Sequence, residues 1–175
     1  RPRGPGAVPV HPLLTACFAA SVARDEVYTQ PTLLHDPHAP TQHTESIGLT
    51  PAQRHALVEG MVGATTYGSA KLLSEPAFAV PGVRIAGKTG TSQIAAGGSY
   101  ATGTGTTFAT YAGYAPVDDP KFLVSVKFDR PKNQEHGATA AGPGFRDRAA
   151  VLLQHYRSPP GETEASGSGA PPRPP

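Results

Sequence analysis

The 175-residue sequence has no tryptophan, one cysteine, one methionine and only 7% aromatic residues. A single cysteine excludes an intrachain disulfide, and its place in the apolar stretch 13–20 makes Cys17 a small buried hydrophobe rather than a reactive thiol. No apolar run approaches the about 18 residues of a membrane-crossing helix, and no signal peptide begins at Arg1. Strong charge is missing as well: the formal net charge of +2 argues for neither a nucleic-acid nor an anionic-membrane partner. Apolar residues reach 38%, low for a well-filled core and in keeping with part of a domain.

Twenty glycines and twenty prolines are in excess, many of them at the two ends and between residues 94 and 106. Residues 1–12 read as an irregular leader, 13–157 as the folded part, and 158–175 as a disordered tail without apolar periodicity. Gly97, Gly98, Gly103 and Gly105 lack the Gly-Lys-Ser/Thr ending of a phosphate loop, so 94–106 reads as a flexible connection. His35, Asp36, His38, His43 and Glu45 are interrupted by Pro37 and Pro40 and match no metal-ligand spacing. Neither a metal nor a cofactor is expected.

Periodicity supplies the elements. Residues 13–24 are apolar on almost every side and predict a helix buried all round, followed by a short β-prone piece at 27–34 and a loop at 35–46. Thr50, Pro51 and Gln53 form a capping-box start for a helix running to about residue 63, with Leu57, Val58, Met61 and Val62 on one face. Residues 67–71 read as extended, which makes Ser69 and Lys71 same-face neighbours rather than a catalytic pair. Residues 108–114 and 122–128 predict a hairpin turned by 116–121, with Phe122, Val124, Val126 and Phe128 sharing a face. Pro143 opens a last helix, with Phe145, Ala149, Leu152 and Tyr156 on its stripe. The fold class expected is α+β, a small antiparallel sheet covered by helices.

Chemistry concentrates in Ile85-Ala86-Gly87-Lys88-Thr89-Gly90-Thr91-Ser92-Gln93. Val83 and Ile85 alternate with Arg84 and Ala86, predicting a strand that enters the motif and places it at a sheet edge. Lys88 supplies a compact cation able to attract a carboxylate or move a proton. Gly90 leaves the backbone bare, so an extended peptide can approach and pair with it. Thr91 adds a hydroxyl for an anion and an N–H for a developing oxyanion.

Lys88-Thr89-Gly90-Thr91 resembles the K-T-G motif of penicillin-binding proteins and serine β-lactamases. The wider order, through Phe108, the stretch from Tyr111 to Lys121 and on to Pro131, resembles the carboxy-terminal part of the transpeptidase domain in class B penicillin-binding proteins. That resemblance covers about residues 8–157. It implies a partial β-lactamase-like transpeptidase fold and a part in peptidoglycan cross-linking during cell-wall growth, cell shape or division. The implied partners are the stem peptide, penicillin and other β-lactams, and an N-terminal part of the same domain, at the periplasmic face of the bacterial inner membrane. Carried over, Lys88 assists proton movement and holds a substrate carboxylate, Thr89 and Thr91 contact that carboxylate, and Thr91 N–H completes the oxyanion hole. The sequence departs from the family in one respect: no serine here has a lysine three residues later or an asparagine two residues later. The attacking serine is therefore expected from elsewhere, and this chain alone is expected to be inactive. A serine β-lactamase fragment and a non-catalytic peptide- or β-lactam-binding remnant stay open as alternatives.

Overall fold

The computed structural model describes residues 11–25, 27–29, 31–33, 44–75, 83–96 and 98–157. The expectations for the leader before residue 11, for His35, Asp36, His38 and His43, and for the tail lie outside them.

Helix α1 (Pro12–Ala23) starts where its sequence directs, with Pro12 in the first turn and His11 Nδ1 accepting from Leu13 N–H at 3.2 Å. Its last carbonyls are met by Arg54, whose Nε donates to Val22 O at 2.9 Å while also pairing with Asp25. Burial departs from the expectation. Ala19, Ser21 and Val22 are buried, but Leu13, Leu14 and Phe18 are 46%, 55% and 62% exposed. One side of α1 packs on the sheet and it also touches β1 and α2, but among the described residues nothing covers Leu13, Leu14 and Phe18. Cys17 is half-buried rather than buried.

Short strands β1 (Val27–Thr29) and β2 (Thr44–Ser46) pair antiparallel, so the end of the expected loop is strand. Helix α2 (Pro51–Thr66) carries the full capping box: Thr50 Oγ1 accepts from Gln53 N–H, and Gln53 Oε1 accepts from Thr50 N–H at 2.9 Å. It outlasts the expected end near residue 63. Thr66 Oγ1 bonds back to Val62 O, and Tyr67 N–H closes the last turn on Gly63 O. Residues 67–70 are a turn, not a strand, and lead into a 3-10 helix (Lys71–Ser74). The reason is local: Gly68 N–H and Ala70 N–H are captured by the carbonyls of Gly63 and Ala64, which folds the chain back along α2.

The central sheet consists of β3 (Ala86–Gln93), β6 (Thr107–Ala115) and β7 (Phe122–Asp129), antiparallel in the order β3-β6-β7. The link expected to be flexible is instead a small hairpin of β4 (Ala95–Ala96) and β5 (Ser99–Tyr100). Gly98 turns it with φ +86°, Ala101 N–H to Ile94 O (2.8 Å) closes its base, and Ile94 N–H to Thr106 O (2.8 Å) ties the two ends of the link together. Residues 83–85 precede the strand without joining it. They are held by Val117 N–H on Arg84 O and by Thr65 Oγ1, which lies 2.7 Å from Ile85 O.

Helix α3 (Gly137–Arg157) begins before Pro143, which lies inside it. The run Gly137-Ala138-Thr139-Ala140-Ala141-Gly142 has no apolar period, so the sequence conceals a first turn that contact with the sheet fixes. Ala138, Ala141, Phe145, Ala149 and Leu153 form the buried stripe, with Leu153 in place of the expected Leu152 and Tyr156 exposed. The stripe's first four members meet Tyr111, Ala115, Ile85, Ala70 and Leu73, and the Tyr111 and Phe145 rings lie 4.7 Å apart. Phe122, Val124 and Val126 join this core, whereas Phe128 is exposed. The fold is α+β, with α3 on one face of the antiparallel sheet and α1 and α2 toward the other.

Candidate functional site

Strand β3 is an edge of the sheet among the described residues, paired on one side to β6. An edge strand leaves alternate N–H and C=O groups free for an extended ligand. Lys88, Thr89, Gly90 and Thr91 all lie on it, opposite Ala112, Tyr111, Thr110 and Ala109.

Alternation splits the motif between the two faces. Lys88 and Gly90 line a groove of about 580 Å3, which Thr89 also borders, together with Phe18, Leu57 and Met61 of α1 and α2. Lys88 is exposed, and its Nζ donates to Thr89 O at 2.7 Å. The cation thus rests on its own strand at the mouth of an apolar groove.

Thr89 and Thr91 take the α3 side. Gly137, the first residue of α3, donates its N–H to Thr91 Oγ1 at 3.0 Å. So close an approach requires glycine: a Cβ at 137 would lie 2.4 Å from Thr110 O and 2.6 Å from Gly90 O. The N–H end of a long helix carries partial positive charge, which favours an anion beside Thr91. Thr89 Oγ1 lies 2.8 Å from Ser69 Oγ, in the turn after α2. Thr110 Oγ1 donates to Gly90 O at 3.2 Å and fixes the middle of the motif.

Below these hydroxyls sits Tyr111, 0% exposed, its hydroxyl without a partner among the described residues. Burial raises its pKa, and burial likewise raises that of Tyr114. A Cβ at Gly87 would overlap the Tyr111 hydroxyl, so the bare backbone at 87 makes room for the ring. Arg84, before the strand, pairs with Asp118, and that hydrogen bond raises its pKa. It is not part of the hydroxyl cluster.

The four expected residues therefore share one strand, while two others were not anticipated: Ser69 beside Thr89 and Gly137 behind Thr91. Ser69 faces a threonine of the motif because the 67–70 segment is a turn. The small-residue run at 137–142 was the available sign that a backbone approaches closely there.

The profile of the penicillin binding protein transpeptidase domain matches residues 4–149. Penicillin-binding protein PbpB of Mycolicibacterium smegmatis is 39% identical over 88 residues, covering 48% of this chain and 13% of the relative. Peptidoglycan D,D-transpeptidase PbpA of the same organism is 33% identical over 155 residues, covering 84% and 30%. Among solved structures, the transpeptidase domain of Burkholderia pseudomallei penicillin-binding protein 3 superimposes with a TM-score of 0.71 at 23% identity, covering 86% of this chain and 44% of that one. The imipenem acyl-enzyme complex of penicillin-binding protein A from M. tuberculosis gives 0.61 at 28% identity, covering 85% and 32%. This chain thus spans less than half the length of each of these proteins.

Proposed function

As the chain belongs to the penicillin binding protein transpeptidase domain family, we propose that it supplies the Lys-Thr-Gly strand of a peptidoglycan D,D-transpeptidase. Such an enzyme cross-links stem peptides by serine acyl transfer and is acylated by penicillin and other β-lactams at the same site. One observation carries this reading: Lys88, Thr89, Gly90 and Thr91 occupy a strand whose outer edge is free among the described residues.

The roles follow from the groups present. A stem peptide, or a β-lactam in its place, lies antiparallel along β3 and pairs with its backbone where Gly90 leaves space. Its carboxylate takes hydrogen bonds from the Thr89 and Thr91 hydroxyls and charge from Lys88. Thr91 N–H faces the oxygen that becomes negative as a serine attacks the carbonyl carbon. Lys88 assists proton movement to the leaving amine. The attacking serine and its lysine come from the N-terminal part of the same domain, since these 175 residues contain no Ser-x-x-Lys. The site works at the periplasmic face of the inner membrane.

Fluorescent penicillin provides the test. Incubated with this chain alone, it should leave no covalent label after denaturing electrophoresis, because donors without an activated nucleophile do not acylate. A stoichiometric adduct on Ser69 or another serine of the chain overturns the reading. Joined to a segment bearing Ser-x-x-Lys, the protein should be labelled, and Lys88→Ala should slow labelling about 10- to 1000-fold. Unchanged labelling removes Lys88 from its role, whereas Arg84→Ala should change little.

A further inference from the structure

Ser69 belongs to no part of the Lys-Thr-Gly motif, yet its Oγ lies 2.8 Å from Thr89 Oγ1 and is exposed with it at the strand. A hydroxyl has one hydrogen to donate and two lone pairs to accept with. Thr91 shows what filling one acceptor position does: with Gly137 N–H donating to its Oγ1 at 3.0 Å, its own hydrogen is left to point away from the helix. Among the described residues, no backbone N–H donates to Thr89 Oγ1. The group that stands there is the Ser69 hydroxyl.

We propose that Ser69 is a positioning residue for a ligand carboxylate: by donating to Thr89 Oγ1, it sets the Thr89 hydroxyl, like that of Thr91, as an outward donor to an anion. The inference rests on the reading that Thr89 and Thr91 bind the substrate carboxylate. Its physical content is orientational. An unrestrained threonine hydroxyl rotates and meets an anion with lone pairs as readily as with its hydrogen. One already accepting from a neighbour presents the hydrogen, and the chained bonds polarise one another. Two such hydroxyls at positions i and i+2 stand on the same face of β3, next to the positive end of α3. That arrangement recognises a carboxylate and has no use for its uncharged amide.

The test uses the 175-residue chain, isotope-labelled, titrated with N-acetyl-D-alanyl-D-alanine and separately with its C-terminal amide while the backbone signals of Thr89, Thr91 and Gly137 are followed. The acid should bind at about millimolar Kd and the amide more weakly. Ser69→Ala should weaken the acid by about three- to tenfold, the scale of one oriented hydrogen bond to a charge, and leave the amide unchanged. Ser69→Thr should restore the preference. In a Thr89→Val background, Ser69→Ala should have no further effect, since the hydroxyl it orients is gone. If Ser69→Ala keeps the full preference for the acid, the inference fails while carboxylate binding by the threonines stands. Equal loss of acid and amide assigns Ser69 a purely structural part and also overturns it. Failure of the unaltered chain to bind the acid overturns both readings together.

Discussion

Beneath α3 the sheet is closed by small residues and two aromatic rings in contact, whereas toward α1 and α2 it opens into a groove of about 580 Å3. The closed face holds Tyr111, Phe145 and Ala149, each 0% exposed, and the open one carries Phe18 at 62% and Leu57 at 40%. Both are apolar, so composition does not separate them. What separates them is how closely the described residues cover the sheet: α3 seats Gly137 directly on β3, whereas α1 and α2 reach the strands but leave a groove between them. The motif lies across this division, its threonines braced from the closed side and its lysine at the mouth of the open one. Rigid support on one side and access on the other is what a binding strand requires.

The comparison breaks most visibly at the two phenylalanines. Phe145→Ala should cost about 3–5 kcal/mol, because a fully buried ring leaves a cavity that α3 cannot collapse. Phe18→Ala should cost less than about 0.5 kcal/mol, as expected of an exposed position, and should improve solubility. Urea unfolding followed by circular dichroism reads both. A large loss at Phe18 would show that the groove is filled in solution.

The glycines give a smaller contrast of opposite sign. Gly137→Ala forces a methyl against Thr110 O and Gly90 O, so α3 must lift off the strand at a cost of about 1–3 kcal/mol. Gly60→Ala, in α2 beside the groove, meets nothing within 4 Å and should gain up to about 1 kcal/mol from helix propensity. Equal effects at the two positions would mean that the faces are packed alike.

Smallest is the change at the Tyr111 hydroxyl, buried without a partner among the described residues. Tyr111→Phe should leave stability unchanged or raise it by about 1 kcal/mol, since it removes a desolvated polar group. Burial raises the pKa of this phenol above its ordinary value of about 10. The unfolded chain therefore releases its proton first as pH rises. Stability is intact below about pH 10 and falls above it. The phenylalanine variant should flatten that alkaline decline without abolishing it, because Tyr114 is also raised by burial. An unchanged slope in pH-dependent unfolding would place Tyr111 outside the core.

Much of this was legible in the sequence where a signal is local. The capping box at Thr50 and Gln53, the paired strands from Thr107 to Asp129 and the motif at Lys88 each announce themselves within a few residues. The misread segments depend on hydrogen bonds that no residue pattern marks, some to near neighbours and some across longer loops. Residues 67–71 look extended until the carbonyls of Gly63 and Ala64 capture their N–H groups, and the glycine-rich link looks loose until Ile94 and Thr106 pair across it. Pro143 reads as a helix start because nothing nearby reveals that residues 137–142 already lie against β3. Ser69 stood out, but against Lys71, its neighbour in sequence rather than in space.

By itself the sequence determined the chemistry offered and the strand that offers it: a lysine, two threonines and a bare glycine in period-two order, with no serine bearing the companion lysine. Spacing along one strand is fixed by covalent geometry and needs no fold to be known. The tertiary structure alone decided which groups stand behind those side chains. It brings Ser69 to Thr89 across 20 positions and Gly137 to Thr91 across 46. Such contacts belong to no local pattern, because they depend on where α2 and α3 come to rest, and that is settled by the packing of Ala70, Leu73, Tyr111 and Phe145 between them.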